Sequence, residues 1–282
     1  MASHARSAQL VYAGRQPRHW DFANLQPPLR PLTKMEKAVT RKPLIILVGA
    51  DKGGTGKTTT SRVLCDYPQV RSVSARFFDT EVGAGDLKRF VPAATVVDIA
   101  KTQGQMSVFD SLDGLTIVDI RAGQFSETLR ALDKAKLLDD VRTGALNLAL
   151  LHVLGSTDRS FGEIAETAAI IGGGTKHFLV RNFINEGDFS EWEKDVRFAS
   201  RLREMKAVTV TVPHLTADAC DAVQKLGATF DGFANDLSQS RMLRGYVRSW
   251  LETVWRDFDR VGLGDLVGAA ISEKGQPQWP RS

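Results

Sequence analysis

The stretch "DKGGTGKTTT" (residues 51–60) places two lysines, three glycines and a run of threonines directly after the apolar segment "PLIILVGA". Such a loop is suited to holding phosphate. Backbone N–H groups that open a helix converge on an anion, and glycine lets the chain approach it closely. Gly53, Gly54 and Gly56 supply that freedom, and Thr55 and Thr59 belong to the same phosphate-binding set. Lys57 is placed to reach the β- and γ-phosphates of a nucleotide, and the Thr58 hydroxyl to ligate Mg²⁺. The segment "KTTTSRVLCDY" reads as the following helix, stopping at Pro68.

Two later segments deliver carboxylates from apolar runs. "FFDTEVGAGDL" carries Asp79 and Glu81 on either side of Thr80, and "GLTIVDIRAGQ" carries Asp119 with Gly123 four residues on. In an open α/β sheet, ligands gather at the carboxyl ends of the strands, where these acids emerge. Asp119 has the logic of an acid held in the water shell of Mg²⁺, and a glycine after it lets a backbone N–H meet the γ-phosphate. Lys52 is harder to explain. The usual spacing puts a glycine where Asp51 stands, and a second lysine so close to Lys57 is costly unless further anionic charge compensates it.

"KGGTGKTT" resembles the deviant Walker A motif of the ParA/MinD family of ATPases. The resemblance implies a P-loop NTPase that binds ATP and Mg²⁺, with Lys52 crossing an ATP-dependent homodimer to the partner's phosphates. It also implies that Asp79 joins Thr58 and Asp119 around the metal, and that Glu81 orients the attacking water. Glu81 departs from the family's usual aspartate, and Arg121 stands where proline is common. Asn182 in "VRNFINEG" matches an asparagine that reads the adenine edge, although such a residue also caps turns well. Pro213 in "TVPHL" matches a proline that passes the base. The resemblance spans roughly residues 42 to 235. Within the family, "VRNFINEGDFSEWEKD" and "VTVTVPHLTADACDAV" are similar to plasmid-transfer and plasmid-stability ATPases.

These residues need a scaffold. Six short apolar runs, 44–49, 74–79, 115–120, 146–154, 177–184 and 208–213, alternate with helix-like segments. That pattern predicts a doubly wound, mostly parallel α/β sheet covered on both faces. In "SEWEKDVRFASRLREMK", Trp192, Val196, Ala199, Leu202 and Met205 recur at helical spacing and predict a packing face. In "SRMLRGYVRSWLETVWRDFDR", Leu243, Val247, Trp250 and Leu251 form the packing side, while Arg241, Arg244 and Arg248 form a cationic stripe. A charge stripe is usually a solvated face. Family members nevertheless bind DNA non-specifically through late helices, so these arginines are candidate DNA contacts.

The chain has 282 residues, 43% apolar and 25% charged, with a net charge of +4. Residues 1–43 hold eight basic residues against two acidic ones, so the basic character lies in the arm and not in the domain. "RQPRHW" and "LQPPLRPL" read as a proline-punctuated, disordered arm, with Trp20 and Phe22 as a docking point, followed by an ATPase domain over 44–282. No apolar run approaches the roughly 20 residues that span a bilayer, and no signal peptide or membrane-targeting helix is evident, so a cytoplasmic protein is expected. Cys65 and Cys220 read as small buried residues, which argues against relatives that bridge subunits with a cysteine-ligated cluster. The expected role is a nucleotide-switched positioning, partitioning or plasmid-transfer factor with an activating partner or cargo. Two alternatives stand beside it: a metabolic ligase of the dethiobiotin synthetase kind, which has no need of Lys52, and a regulatory module that holds ATP with negligible hydrolysis.

Overall fold

A computed structural model describes residues 42–270, apart from 51, 84, 156–158, 172, 186, 191–193 and 195. The chain divides into two units, Met1–Val39 and Thr40–Ser282. Residues 1–41 of the expected basic arm, with Trp20 and Phe22, lie outside the described residues, as does Trp192.

The apolar runs become strands β1 (Leu44–Gly49), β2 (Ala75–Asp79), β4 (Leu115–Asp119), β5 (Asn147–Val153), β6 (Lys176–Asn182) and β7 (Val208–Val212). A two-residue edge strand not read from the sequence, β3 (Thr95–Val96), joins them. All pair in parallel in the order β3-β2-β4-β1-β5-β6-β7. A parallel strand buried on both faces needs a continuous apolar run, which "LIILVG" supplies at the centre of the sheet.

Alternate residues of β1 serve the two faces. Leu44, Ile46 and Val48 pack with α1 (Lys57–Gln69), α7 (Ala217–Leu226), α8 (Phe230–Asn235), α9 (Arg241–Arg260) and α10 (Leu263–Ala269). Ile45 and Leu47 pack with α2 (Thr102–Phe109), α3 (Phe125–Lys134), α4 (Leu137–Thr143) and α5 (Arg159–Ile171). Helix α1 contains Pro68 in its last turn and closes at Gln69, one residue beyond the expected stop. The missing proline donor removes a single bond, and the Val70 N–H still closes onto the Asp66 carbonyl at 3.2 Å. Buried Arg62 of α1 stacks between the rings of Phe90 and Phe230, its centre 3.6 and 4.2 Å from their centroids. One turn on, the Asp66 carboxylate accepts from the Asp231 N–H of α8 at 2.9 Å, so two polar side chains lock α1 to α8.

Two packing expectations meet different outcomes. In α9, Val247, Trp250 and Leu251 are buried and Leu243 packs beside them, as the spacing predicts. In α6 (Val196–Glu204), Val196 is 77% exposed and Ala199 is exposed as well. Only Leu202, with Met205 just beyond the helix, rests on the small cluster of Leu154, Ile164, Leu179 and Phe189. That cluster lies beneath only the end of the helix, so the helical period alone overstates the buried face.

Behind the loop that follows β1 lies a buried histidine pair. His152 of β5 sits level with Gly49, and its Nε2 is 3.2 Å from His177 Nδ1 on β6, the ring planes nearly parallel at 10°. Phe125 meets His152 edge-on at 5.4 Å and lies so close to Gly49 that a Cβ there would fall 2.1 Å from its ring. Burial pushes His152 down to about 3, helped by His177, and His177 down to about 4. An unfolded chain takes up these protons near pH 6.5 and the folded one does not, so stability from the pair is complete above that pH and is lost as pH falls toward 4. Burial raises Asp66 and Asp119 to about 7, which contributes with the opposite sign over much of this range. A comparison of variants separates the two effects. Between pH 6.5 and 4.5, the wild type should lose roughly 1 kcal/mol per histidine per pH unit relative to His152→Gln/His177→Gln, read from denaturant midpoints.

Candidate functional site

Parallel register aligns three strand ends. Asp79 of β2 is level with Asp119 of β4, and Asp119 is level with Val48 of β1. The glycine loop therefore leaves β1 beside both carboxylates, and a cavity of about 300 Å³ opens between them. Gly53, Gly54, Gly56, Lys57, Thr58 and Thr59 line it from the loop. Asp79, Glu81 and Asp119 line it from the strand ends, with Asp86, Arg121 and Asn185 at its margin.

The loop is shaped to leave donors uncommitted by side chains. Gly56, at φ 88°, is the N-cap of α1; no side chain caps the helix, and its first turn holds no acid. The opening N–H groups and the positive end of the helix dipole thus face the cavity's anion position. A Cβ on Gly56 would lie 1.9 Å from Asn182 Nδ2 and 2.3 Å from Asn185 Oδ1, so glycine is required by contact as well as by φ. Lys57 Nζ donates to the Lys52 carbonyl at 2.9 Å, which folds the lysine back over the loop. Of the two lysines, Lys57 lines the cavity and Lys52 holds Lys57 through its main chain.

The two buried acids have different duties. Asp119 Oδ1 accepts from Ser61 Oγ of α1 at 2.8 Å, and the Thr58 hydroxyl also favours the charged form of this carboxylate. Burial pushes Asp119 up to about 7, with the charge of Asp79 adding to the rise; the two hydroxyls and Lys57 oppose it. A cation beside this acid would remove the penalty. Asp79 accepts three backbone N–H groups: Glu81 at 2.9 Å on Oδ1, with Leu87 at 2.7 Å and Lys88 at 2.9 Å on Oδ2. It is the hub around which the 80–88 loop folds. Among the described residues no group of three or more acid, histidine or cysteine side chains converges to hold a metal by itself. Thr58 and Asp119 offer hard oxygen atoms, which fits an ion such as Mg²⁺ that completes its octahedron with phosphate and water.

The remaining candidates are spread more widely. Thr55 is fully buried, and its hydroxyl meets no partner among the described residues. Gly123 borders a second cavity of about 490 Å³, beside Gln124, Glu127 and Lys134. Asn182 is fully buried; its amide donates to the Gly56 carbonyl at 3.2 Å and to Asn185 Oδ1 at 3.0 Å, and its oxygen accepts from the Ile184 N–H at 3.0 Å. Reading a base would require it to leave partners that clasp the loop. The Pro213 carbonyl accepts from Trp250 Nε1 of α9 at 2.8 Å. Of the arginine stripe, Arg241 is exposed and Arg244 half-buried, while Arg248 donates to the Ala234 carbonyl of α8 at 2.8 Å.

Several residues at the site are not singled out by the sequence reading. Ser61 lies one turn after Lys57, the spacing that puts it on the same helix face. Asn185 follows Asn182 by three in a turn. Thr80 sits between two acids: its hydroxyl accepts from the Arg121 N–H at 2.7 Å and donates to the Asp119 carbonyl at 3.1 Å. Each signal is a single polar residue, and only the folded register gives it meaning.

An all-parallel sheet with a glycine-rich loop leaving its central strand for a helix defines the class: an α/β fold of the P-loop NTPase type. A scan against protein-family models gives no match, and a search of curated proteins gives none either. Among solved structures, the chain is similar to a nucleotide-binding protein from Archaeoglobus fulgidus determined in complex with ADP, at 15% identity and a TM-score of 0.45, over 66% of this chain and 87% of that one. It is also similar to the MinC:MinD cell division protein complex of Aquifex aeolicus, at 13% identity and a TM-score of 0.35, over 74% of this chain and 96% of that one. No helix among the described residues is long and apolar enough to cross a membrane.

The two duties of the acids can be separated by stability without nucleotide. Asp79→Ala leaves three backbone donors without their acceptor and should lower the unfolding free energy by about 3 kcal/mol or more. Glu81→Ala, at the solvent side of the cavity, should change it by less than about 0.5 kcal/mol. Equilibrium denaturation of both variants checks the contrast.

Proposed function

We propose that this chain binds Mg·ATP at the end of β1, hydrolyses it, and pairs with a second copy while ATP is bound, as a nucleotide-switched ATPase of the ParA/MinD type. The observation that carries the reading is the level row of Asp79, Asp119 and the β1 end, which gathers Lys57, Thr58 and Glu81 around one cavity. The loop's N–H groups and Lys57 hold the phosphates. Thr58 and Asp119 hold the Mg²⁺, Asp79 supporting them from the neighbouring strand. When bound, the ion neutralises charge on the β- and γ-phosphate oxygens. Glu81 accepts a hydrogen bond from the attacking water and aims it. Phosphoryl transfer asks for positioning and charge neutralisation more than for covalent chemistry from the protein.

Lys52 is assigned to the partner's phosphates. Two nucleotides facing each other across a dimer repel, and a cation from each chain offsets this in a dehydrated seam, where charges interact more strongly than in water. The biological output is control of cargo position or assembly in the cytoplasm, with plasmid partition or transfer as the specific case. A weak, sequence-independent DNA contact through Arg241, Arg244 and Arg248 belongs to the same reading; with Arg248 tied to α8, the main burden falls on the first two.

The lysines provide the test. Lys57→Ala should lose ATP binding, because the cradle loses its main positive charge. Lys52→Ala should bind ATP within a few-fold of wild type yet stay monomeric, and Glu81→Ala should bind ATP and accumulate as a dimer that releases phosphate on the order of 100-fold more slowly. Nucleotide affinity and solution mass measured on the same samples decide the matter. Dimerisation of Lys52→Ala at wild-type ATP and protein concentrations removes the partner-crossing role.

A further inference from the structure

Arg121 takes no part in the reading above, yet it stands at the mouth of the same cavity. Its backbone is pinned: the N–H donates to buried Thr80 Oγ1 at 2.7 Å, and both the Thr80 hydroxyl and the Thr80 N–H donate to the Asp119 carbonyl at 3.1 Å. This stitch holds the segment after β2 against the segment after β4 and sets Glu81 and Arg121 side by side. Their side chains remain at the surface, 38% and 45% exposed, with Arg121 Nε 3.6 Å from Glu81 Oε1. An ion pair so long and so well solvated is weak and easily exchanged.

The cavity's charges indicate what the exchange would be for. Its described lining holds the carboxylates of Asp79, Glu81, Asp86 and Asp119 against the cations Lys57 and Arg121. Lys57 is drawn back over the loop by the Lys52 carbonyl. Arg121 is the cation on the opposite, strand-end side, next to the acid assigned to the water. A guanidinium forms stronger, forked hydrogen bonds with a phosphate than with an exposed carboxylate at 3.6 Å.

We infer that Arg121 is a terminal-phosphate contact acting within its own chain: it rests on Glu81 without ATP, and a γ-phosphate draws it away and releases Glu81 to orient water. The inference rests on the Mg·ATP reading of the site and adds a catalytic residue to it. In the step it serves, the water oxygen forms a bond to the γ-phosphorus and the bond to the β,γ-bridging oxygen breaks. The electron pair stays on that oxygen as ADP leaves, and the water's proton passes to the phosphate product or to solvent. Charge developing on the γ-oxygens faces Arg121 from one side and Lys57 from the other. ADP lacks the group that attracts Arg121, so the pair with Glu81 re-forms after phosphate leaves.

The test compares a non-hydrolysable ATP analogue carrying the γ-phosphate with ADP, both with Mg²⁺, by calorimetric titration of the full chain. Wild type should prefer the analogue, and Arg121→Ala should reduce that preference by about tenfold while ADP affinity stays the same. Glu81→Gln, which frees Arg121, should raise the preference a few-fold. Single-turnover hydrolysis by Arg121→Ala should fall on the order of 100-fold or more. Arg121→Gln, which keeps the bulk and loses the charge, should repeat both losses and guards against a folding defect in the alanine variant. If both variants retain the wild-type preference and rate, Arg121 is not a phosphate contact and the inference is overturned while the ATPase reading stands. Wild-type protein that binds neither nucleotide removes the ATPase reading and this inference with it.

Discussion

Two carboxylates held in register at the end of a parallel sheet are the constraint on which the site depends. Asp79 and Asp119 occupy the same row of neighbouring strands, both almost fully buried, and the charge of Asp79 adds to the cost that burial places on charging Asp119. The protein meets that cost in two ways. Asp79 is solvated by three backbone N–H groups, a supply that exists only because the 80–88 loop wraps around it. Asp119 is left with two hydroxyls and a nearby lysine, which is incomplete compensation and makes it the acid that gains most from a cation.

The same row explains why polar residues around it are buried. Thr80 joins the two strand ends through its hydroxyl, and Ser61 brings α1 down onto Asp119. From the far side of the sheet, Asn182 and Asn185 reach the carbonyl and the open face of Gly56. The loop is thereby held by β4 through Asp119 and by β6 through Asn182, two strands on either side of β1 and β5 in the sheet order. A phosphate cradle must keep its N–H groups aimed without spending them on the protein itself, and holding it by a carbonyl and by hydroxyls achieves this.

The core beneath is less polar but not wholly so. The His152 and His177 pair, capped by Phe125 against Gly49, fills the space under the loop with rings that remain neutral. On the other face, the Arg62 guanidinium between two aromatic rings fills the junction of α1 and α8. Both groups sit on elements that flank the loop, so packing there fixes where α1 starts.

What the sequence by itself determined is the local chemistry and the layer arrangement. Apolar runs of six to nine residues separated by helical periods leave few alternatives to a parallel α/β sheet, and the glycine-lysine-threonine loop after the first run names its own ligand class because the spacing is dictated by backbone geometry. The tertiary structure decided how those residues share the work. Whether Asp79 faces a metal or its own loop depends on where residues 81, 87 and 88 return. Whether Asn182 is open to a base depends on its distance from Gly56, and whether Val196 is buried depends on how far the sheet extends beneath α6. None of these is periodic: the Asp79 cage depends on how the chain loops back within nine residues, and the contact of Asn182 with Gly56 joins segments 126 residues apart. That is why Arg121, visible in the sequence only as an unusual replacement, acquires a partner in Glu81 once β2 and β4 are side by side.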